Sequence, residues 1–143
     1  MASRQSVLVL CTGNSCRSQM AEAFLRRYHG DRFDVHSAGT LPKDEVHPLA
    51  VRAMDEVGVD ISEHRPKDVA DFLGKLPLAH LLIVCDRAND SCPRVWPGSI
   101  SRTYMPFDDP ADATGDDEAV MAVFRRVRDE IDAAMNRWSP PKE

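Results

Sequence analysis

The chain is 143 residues long, a length that suits one compact domain with a core of its own. Apolar residues make up 43% and charged residues 29%, the balance of an ordinary soluble globular protein. Eighteen Lys and Arg stand against 23 Asp and Glu, for a formal charge of −5. With no basic block, that argues against a general nucleic-acid or membrane-surface binder. No apolar run approaches the roughly 20 residues of a membrane span. The first apolar run, at 7–10, is too short for a signal-peptide core, so a cytoplasmic location is expected.

The elements alternate in type along 1–143, which reads as a single domain. Val7, Leu8, Val9 and Leu10 predict a short strand buried on both faces. Residues 18–28 follow as a helix with Met20, Phe24, Leu25 and Tyr28 on one stripe and Gly30 as a stop. Phe33, Val35 and Ser37 read as a second strand ending at Gly39. Residues 47–57 predict a helix with Pro48 at its start, Ala50, Ala53, Met54 and Val57 inward, and Gly58 beyond its end. A shorter helix is expected over 66–73. Leu81, Leu82, Ile83 and Val84 form the clearest strand and lead directly into Cys85. A fourth strand is expected over 101–105. In the last helix Val120, Phe124, Val127, Ile131, Ala134 and Trp138 recur at intervals of four and three, with charges on the other faces.

This alternation predicts an α/β fold, a four-stranded parallel sheet with helices on both faces. Ligands in such folds sit beyond the carboxyl ends of the strands. Cys11 follows the first strand, Cys85 the third, and Asp108 and Asp109 the fourth.

Four cysteines occur, at 11, 16, 85 and 92. In a reducing compartment such residues are buried, metal-bound or catalytic more often than bridged. Cys11-Thr12-Gly13-Asn14-Ser15-Cys16-Arg17-Ser18 lies between a strand and a helix N-terminus. A loop there turns several backbone N–H groups toward one point, and the helix dipole adds positive potential. Gly13 and Asn14 tolerate the unusual backbone angles this requires. Arg17 can fork two N–H groups onto a tetrahedral oxyanion. The same field favours the Cys11 thiolate, and Ser18 is placed to donate a hydrogen bond to it. Thr12, Gly13, Asn14, Ser15, Cys16 and Arg17 are the expected oxyanion cradle. The alternative is a tight strand–helix turn that buries two inert cysteines.

The loop is similar to the phosphate-binding loop of low-molecular-weight protein tyrosine phosphatases. Extended through Gln19, Met20, Ala21 and Glu22, it resembles more closely the arsenate reductases built on that fold. Ser37-Ala38-Gly39, Asp60-Ile61-Ser62, Phe107-Asp108-Asp109-Pro110-Ala111 and the stretch 124–131 resemble further landmarks in the same order. The likeness spans essentially the whole chain.

The resemblance implies a redox chemistry that one cysteine cannot perform. Cys11 attacks arsenate, Cys85 attacks Cys11 and releases arsenite, and Cys92 resolves the bond to a Cys85–Cys92 disulfide. Thioredoxin then reduces that disulfide by thiol exchange. Glutaredoxin, glutathione and mycothiol are the alternative donors. Six mostly polar residues separate Cys85 from Cys92, and such a stretch can bring the two sulfurs within a disulfide's short reach. Competing readings make Cys85 an inert core thiol, or the cysteines a zinc site, although neither pair has the usual knuckle spacing. Cys16 is expected to pack or tune the loop.

By the same resemblance Asp109, directly before Pro110, is the general acid, with Asp108 as its runner-up. Asp116, Asp117 and Glu118 are read as favouring a helix N-terminus. Related phosphatases carry aromatic residues after the Asp-Pro pair to hold a phenol ring. Here Ala111-Asp112-Ala113-Thr114-Gly115 follows, which suits a small free oxyanion. Some members of the family bind potassium beside the loop, at positions matching Asn14, Glu22, Ser37 and Asp68. The stretch His64-Arg65-Pro66-Lys67-Asp68 departs from that pattern by one inserted residue. No chemistry is assigned to the five histidines, and His47 is read as a helix cap. Three activities remain open on these residues: arsenate reduction, phosphate-ester hydrolysis, and non-catalytic thiol sensing by the Cys85/Cys92 pair.

Overall fold

The computed structural model describes residues 4–72, 75, 77–84 and 100–139. The predicted roles of Cys85 and Cys92 fall outside the described residues. Four strands, β1 (Gln5–Cys11), β2 (Phe33–Gly39), β3 (Leu78–Ile83) and β4 (Ser101–Tyr104), form one sheet in the order β2-β1-β3-β4. Every neighbouring pair is parallel. In register, Val7 lies against Val35 and His80, and Cys11 ends β1 opposite Gly39. The described helices are α1 (Arg17–His29), α2 (Pro48–Asp55) and α3 (Asp117–Arg137).

Side chains alternate across a strand, yet Val7, Leu8, Val9 and Leu10 are all fully buried. Both faces of the sheet are therefore covered, which is why β1 reads as an unbroken apolar run. On one face Phe33 meets the edge of Trp138, just past α3, with ring centres 5.3 Å apart. His80 and His29 close on the same indole at 5.7 and 5.5 Å. On the other face His36 packs against Phe72 at 5.5 Å.

Phe72 follows a single 3-10 turn, Val69–Asp71, where a helix over 66–73 is predicted. The reason is a contact made far along the chain. Gly39 donates its N–H to the Lys67 carbonyl at 2.8 Å, and Gly39 pairs with Asp68 in an isolated bridge. This holds 67 and 68 extended. The Asp68 carboxylate then accepts from Ala70 N–H at 2.9 Å and starts a turn one residue later.

Helix α2 is shorter than predicted and carries the predicted cap: His47 Nδ1 accepts the Leu49 N–H at 3.1 Å. Gly58, at φ +79°, turns the chain away after it. Asp116 caps α3 by accepting from Ala119 N–H at 2.8 Å, with Asp117 and Glu118 in the first turn. Of the predicted stripe of α3, Phe124, Val127, Ile131 and Ala134 are buried and Val120 is partly buried, while Trp138 is the C-cap and not part of the last turn. The buried Arg128 fastens α3 to α2, donating to the Ala53 carbonyl and to Glu56, each at 2.9 Å. Among the described residues no helix is long and apolar enough to cross a membrane.

Candidate active site

The carboxyl ends of the strands meet on one edge. Val84 donates to the Leu10 carbonyl, Met105 to Ile83, and Phe107 to Val84, at 2.8–3.1 Å. These bonds set the end of β1, the end of β3 and the loop after β4 side by side. Cys11 stands at that edge, where it lines a cavity of about 400 Å³. The whole predicted cradle, Cys11, Thr12, Gly13, Asn14, Ser15, Cys16 and Arg17, lines it together with Leu41, Lys43, Phe107, Asp108, Asp109 and Asp112.

The loop works as a cradle because of where its carbonyls go. The Cys11, Thr12, Gly13 and Ser15 carbonyls accept from the N–H groups of Thr40, Leu41, Lys43 and His47, at 2.9–3.1 Å. The Asn14 carbonyl accepts from Gln19 Nε2 at 3.1 Å. With these acceptors occupied by chain donors, negative charge placed in the loop meets N–H dipoles. Asn14 adopts φ +51°, the left-handed conformation that Asn tolerates best after Gly. Gly39 is needed for a different reason: a Cβ there would lie 2.4 Å from the Thr12 carbonyl oxygen. Cys16, the N-cap of α1, supplies no capping side chain, so the first N–H groups of the helix remain available to an anion.

Cys11 Sγ lies 2.8 Å from Ser18 Oγ and accepts the Asn14 N–H at 3.2 Å. The Asn14 N–H favours negative charge on sulfur, and so does the Ser18 hydroxyl when it is the donor. Ser18 is itself held by Asn14 Nδ2 at 2.7 Å. Cys16 is different. Burial pushes its thiol up to about 12, only partly offset by the hydroxyl of Ser15, and at neutral pH it stays protonated. That fits the packing role expected for it.

Arg17 is half-turned toward the loop after β4, donating to the Phe107 carbonyl at 3.1 Å and meeting Asp109 at 3.3 Å. The other Asp109 oxygen accepts from Ala111 N–H at 3.0 Å, and Pro110 starts the 3-10 turn Pro110–Asp112. Asp109 is thus aimed at the cavity mouth. Asp108 is exposed and turned toward Arg126 at 3.1 Å.

Of the predicted cation ligands, three come together. Asn14 Nδ2 donates to Ser37 Oγ at 3.0 Å, and Ser37 donates to Glu22 Oε1 at 2.8 Å. The fourth does not join them. Asp68 spends its carboxylate on Ala70, and its neighbour Lys67 approaches Glu22 instead.

Lys43 also lines the cavity, a place the sequence does not announce. Its backbone N–H holds Gly13, and its side chain lies over that glycine, 3.2 Å from where a Cβ would stand. A lone Lys in an aperiodic stretch carries no local signal; only the close approach to Gly13 reveals it.

The model of the low molecular weight phosphotyrosine protein phosphatase family matches residues 6–142. An arsenate reductase of Halalkalibacterium halodurans is 49% identical over 129 residues, covering 90% of each chain. A solved arsenate reductase in an oxidized state superposes with a TM-score of 0.73 at 27% identity, over 92% of this chain and 93% of that one. A tyrosine phosphatase of Erwinia amylovora shares the fold, with a TM-score of 0.77 at 23% identity, covering 96% of this chain and 92% of its own.

Proposed function

The chain belongs to the low molecular weight phosphotyrosine protein phosphatase family, and from that premise we propose that it reduces arsenate to arsenite through a relay of Cys11, Cys85 and Cys92, with thioredoxin as the electron donor. The observation that carries the reading is the Cys11 sulfur, held by Ser18 and Asn14 at the floor of a cavity whose loop carbonyls are bonded away from it. It is supported by the arsenate reductase named among the relatives and by two further cysteines in the sequence.

The Cys11 thiolate attacks arsenic. A sulfur–arsenic bond forms, and one arsenate oxygen leaves as water on a proton from Asp109. The Cys85 thiolate then attacks Cys11 Sγ. The new S–S bond replaces the S–As bond, whose electron pair stays on arsenic. Arsenic falls from the pentavalent to the trivalent state as two thiols become one disulfide. Cys92 attacks Cys85, frees Cys11, and leaves a disulfide that a dithiol donor reduces by exchange. Arg17 holds the oxyanion throughout, by charge-assisted hydrogen bonds.

Phosphate-ester hydrolysis through a Cys11 phosphoenzyme is the second reading, favoured by Asp109 at the cavity mouth. Purified protein with thioredoxin, its reductase and NADPH separates the two. Arsenate-dependent NADPH consumption, with Cys92→Ser stalled after one turnover on a Cys11–Cys85 link, supports the relay. Hydrolysis of an aryl phosphate that Cys85→Ser leaves unchanged, without arsenate turnover, overturns it.

A further inference from the structure

Glu22 lies on α1 with its side chain only 5% exposed, and a buried carboxylate needs compensating charge. The family resemblance offers potassium for that role, but the residues present do not fit the ion. Asn14 Oδ1 already accepts from the Lys67 N–H at 2.8 Å and from Gln19 Nε2 at 3.1 Å. Ser37 accepts from Asn14 and gives its proton to Glu22. Asp68 is exposed, and its Oδ1 accepts from Ala70 N–H at 2.9 Å.

Chain cations surround Glu22 instead. Arg26 stands 3.3 Å from Oε2, and Lys67 Nζ stands 3.7 Å from Oε1. His64 Nδ1 lies 3.5 Å from Oε2, and burial lowers its pKa, so at neutral pH it adds a dipole more than a charge. Of the two fixed cations, Lys67 faces the oxygen that Ser37 bonds. It is delivered there by its own backbone: its N–H is on Asn14, its carbonyl on Gly39, and its ammonium also donates to the Arg65 carbonyl at 3.1 Å.

We infer that Lys67 is a tethered counter-ion that replaces a bound monovalent cation, locking the catalytic loop through Glu22, Ser37 and Asn14. The path is continuous. The ammonium holds Glu22, Glu22 takes the Ser37 proton, and Ser37 then accepts from Asn14 Nδ2. Asn14 in turn keeps φ +51° and aims both its N–H and Ser18 at the Cys11 sulfur. Lys67 is therefore a positioning residue for Cys11, and the inference holds whichever oxyanion the loop accepts.

The test reads the loop without turnover. Thermal midpoints are compared in KCl and in tetramethylammonium chloride at equal ionic strength, and Cys11 alkylation is followed against pH by peptide mapping. Wild-type midpoints should coincide in the two salts. Lys67→Met should move the alkylation profile to higher pH and slow the reaction at neutral pH severalfold, while Lys67→Arg should restore the wild-type profile. A wild-type midpoint that rises specifically with potassium overturns the inference. So does a Lys67→Met profile that overlays the wild type.

Discussion

Replacing Ser18 by Ala isolates the hydrogen bond between its hydroxyl and the Cys11 sulfur, which the hydroxyl donates once the sulfur is ionised. The contact is 2.8 Å long and fully enclosed, since Ser18 is 0% exposed and Cys11 is 2% exposed. A hydrogen bond to an ionised group contributes about 1.5–3 kcal/mol. At 1.36 kcal/mol per pKa unit, its loss should raise the Cys11 titration by about 1–2 units. The change is local. Asn14 Nδ2 loses one acceptor but keeps Ser37, and the Asn14 N–H stays on the sulfur. The assay is the rate of iodoacetamide modification of Cys11 across pH, resolved from the other cysteines by peptide mapping. Cys16 does not interfere, because its thiol is pushed up to about 12. A Ser18→Ala midpoint that coincides with the wild type, or lies below it, refutes the claim that the hydroxyl stabilises the thiolate.

Arg17→Lys keeps the charge but loses the planar fork. Phosphate or sulfate binding measured by calorimetry should weaken by about 10- to 100-fold, corresponding to one charged hydrogen-bond pair; unchanged affinity would place the anion elsewhere. Cys16→Ser should retain turnover close to wild type, because a buried thiol that stays protonated has no part in thiolate exchange, and complete loss of turnover in a folded variant would give Cys16 a chemical role. Glu56 is held at about 2 by Arg125 first and Arg128 next, against an ordinary value of 4.5. Its folded value lies below its unfolded one, so its contribution is present above pH 4.5 and is lost as pH falls toward 2. The urea midpoint should fall more steeply through that window in the wild type than in Glu56→Gln, and parallel slopes would contradict the linkage.

The features legible in the sequence are local ones. The apolar run at 7–10, the four-and-three spacing of α3 and the Asn inside a Cys–Arg loop each encode their own geometry, and each appears where it is expected, whereas Gly13 does not take the left-handed conformation that Asn14 adopts. The features that stay hidden depend on pairs distant along the chain. No pattern within 66–73 announces that Gly39 will bind Lys67, so the sequence predicts a helix where the backbone is extended. The same pairing decides the cation question, since it brings the Lys67 ammonium to Glu22 while Asp68 turns to Ala70. The backbone bonds from 40–47 that turn the loop carbonyls outward are equally silent in the sequence, because a donor N–H is common to every residue except proline.

The cradle alone does not choose between reduction and hydrolysis, because both begin with the same attack by the same thiolate. Arg17 and the loop N–H groups make the floor positive, while Asp108, Asp109 and Asp112 line the cavity with Leu41 and Phe107. A free tetrahedral oxyanion needs only the floor. An ester must also carry its organic group past those carboxylates. The second attack then decides the reaction: water completes a hydrolysis, whereas a second thiol completes a reduction. The strand order sets β3 beside β1 and binds Val84 to Leu10, the residue before Cys11. From Val84 the sequence runs directly into Cys85. The proposed relay calls for a cysteine at that point in the sequence, and hydrolysis does not.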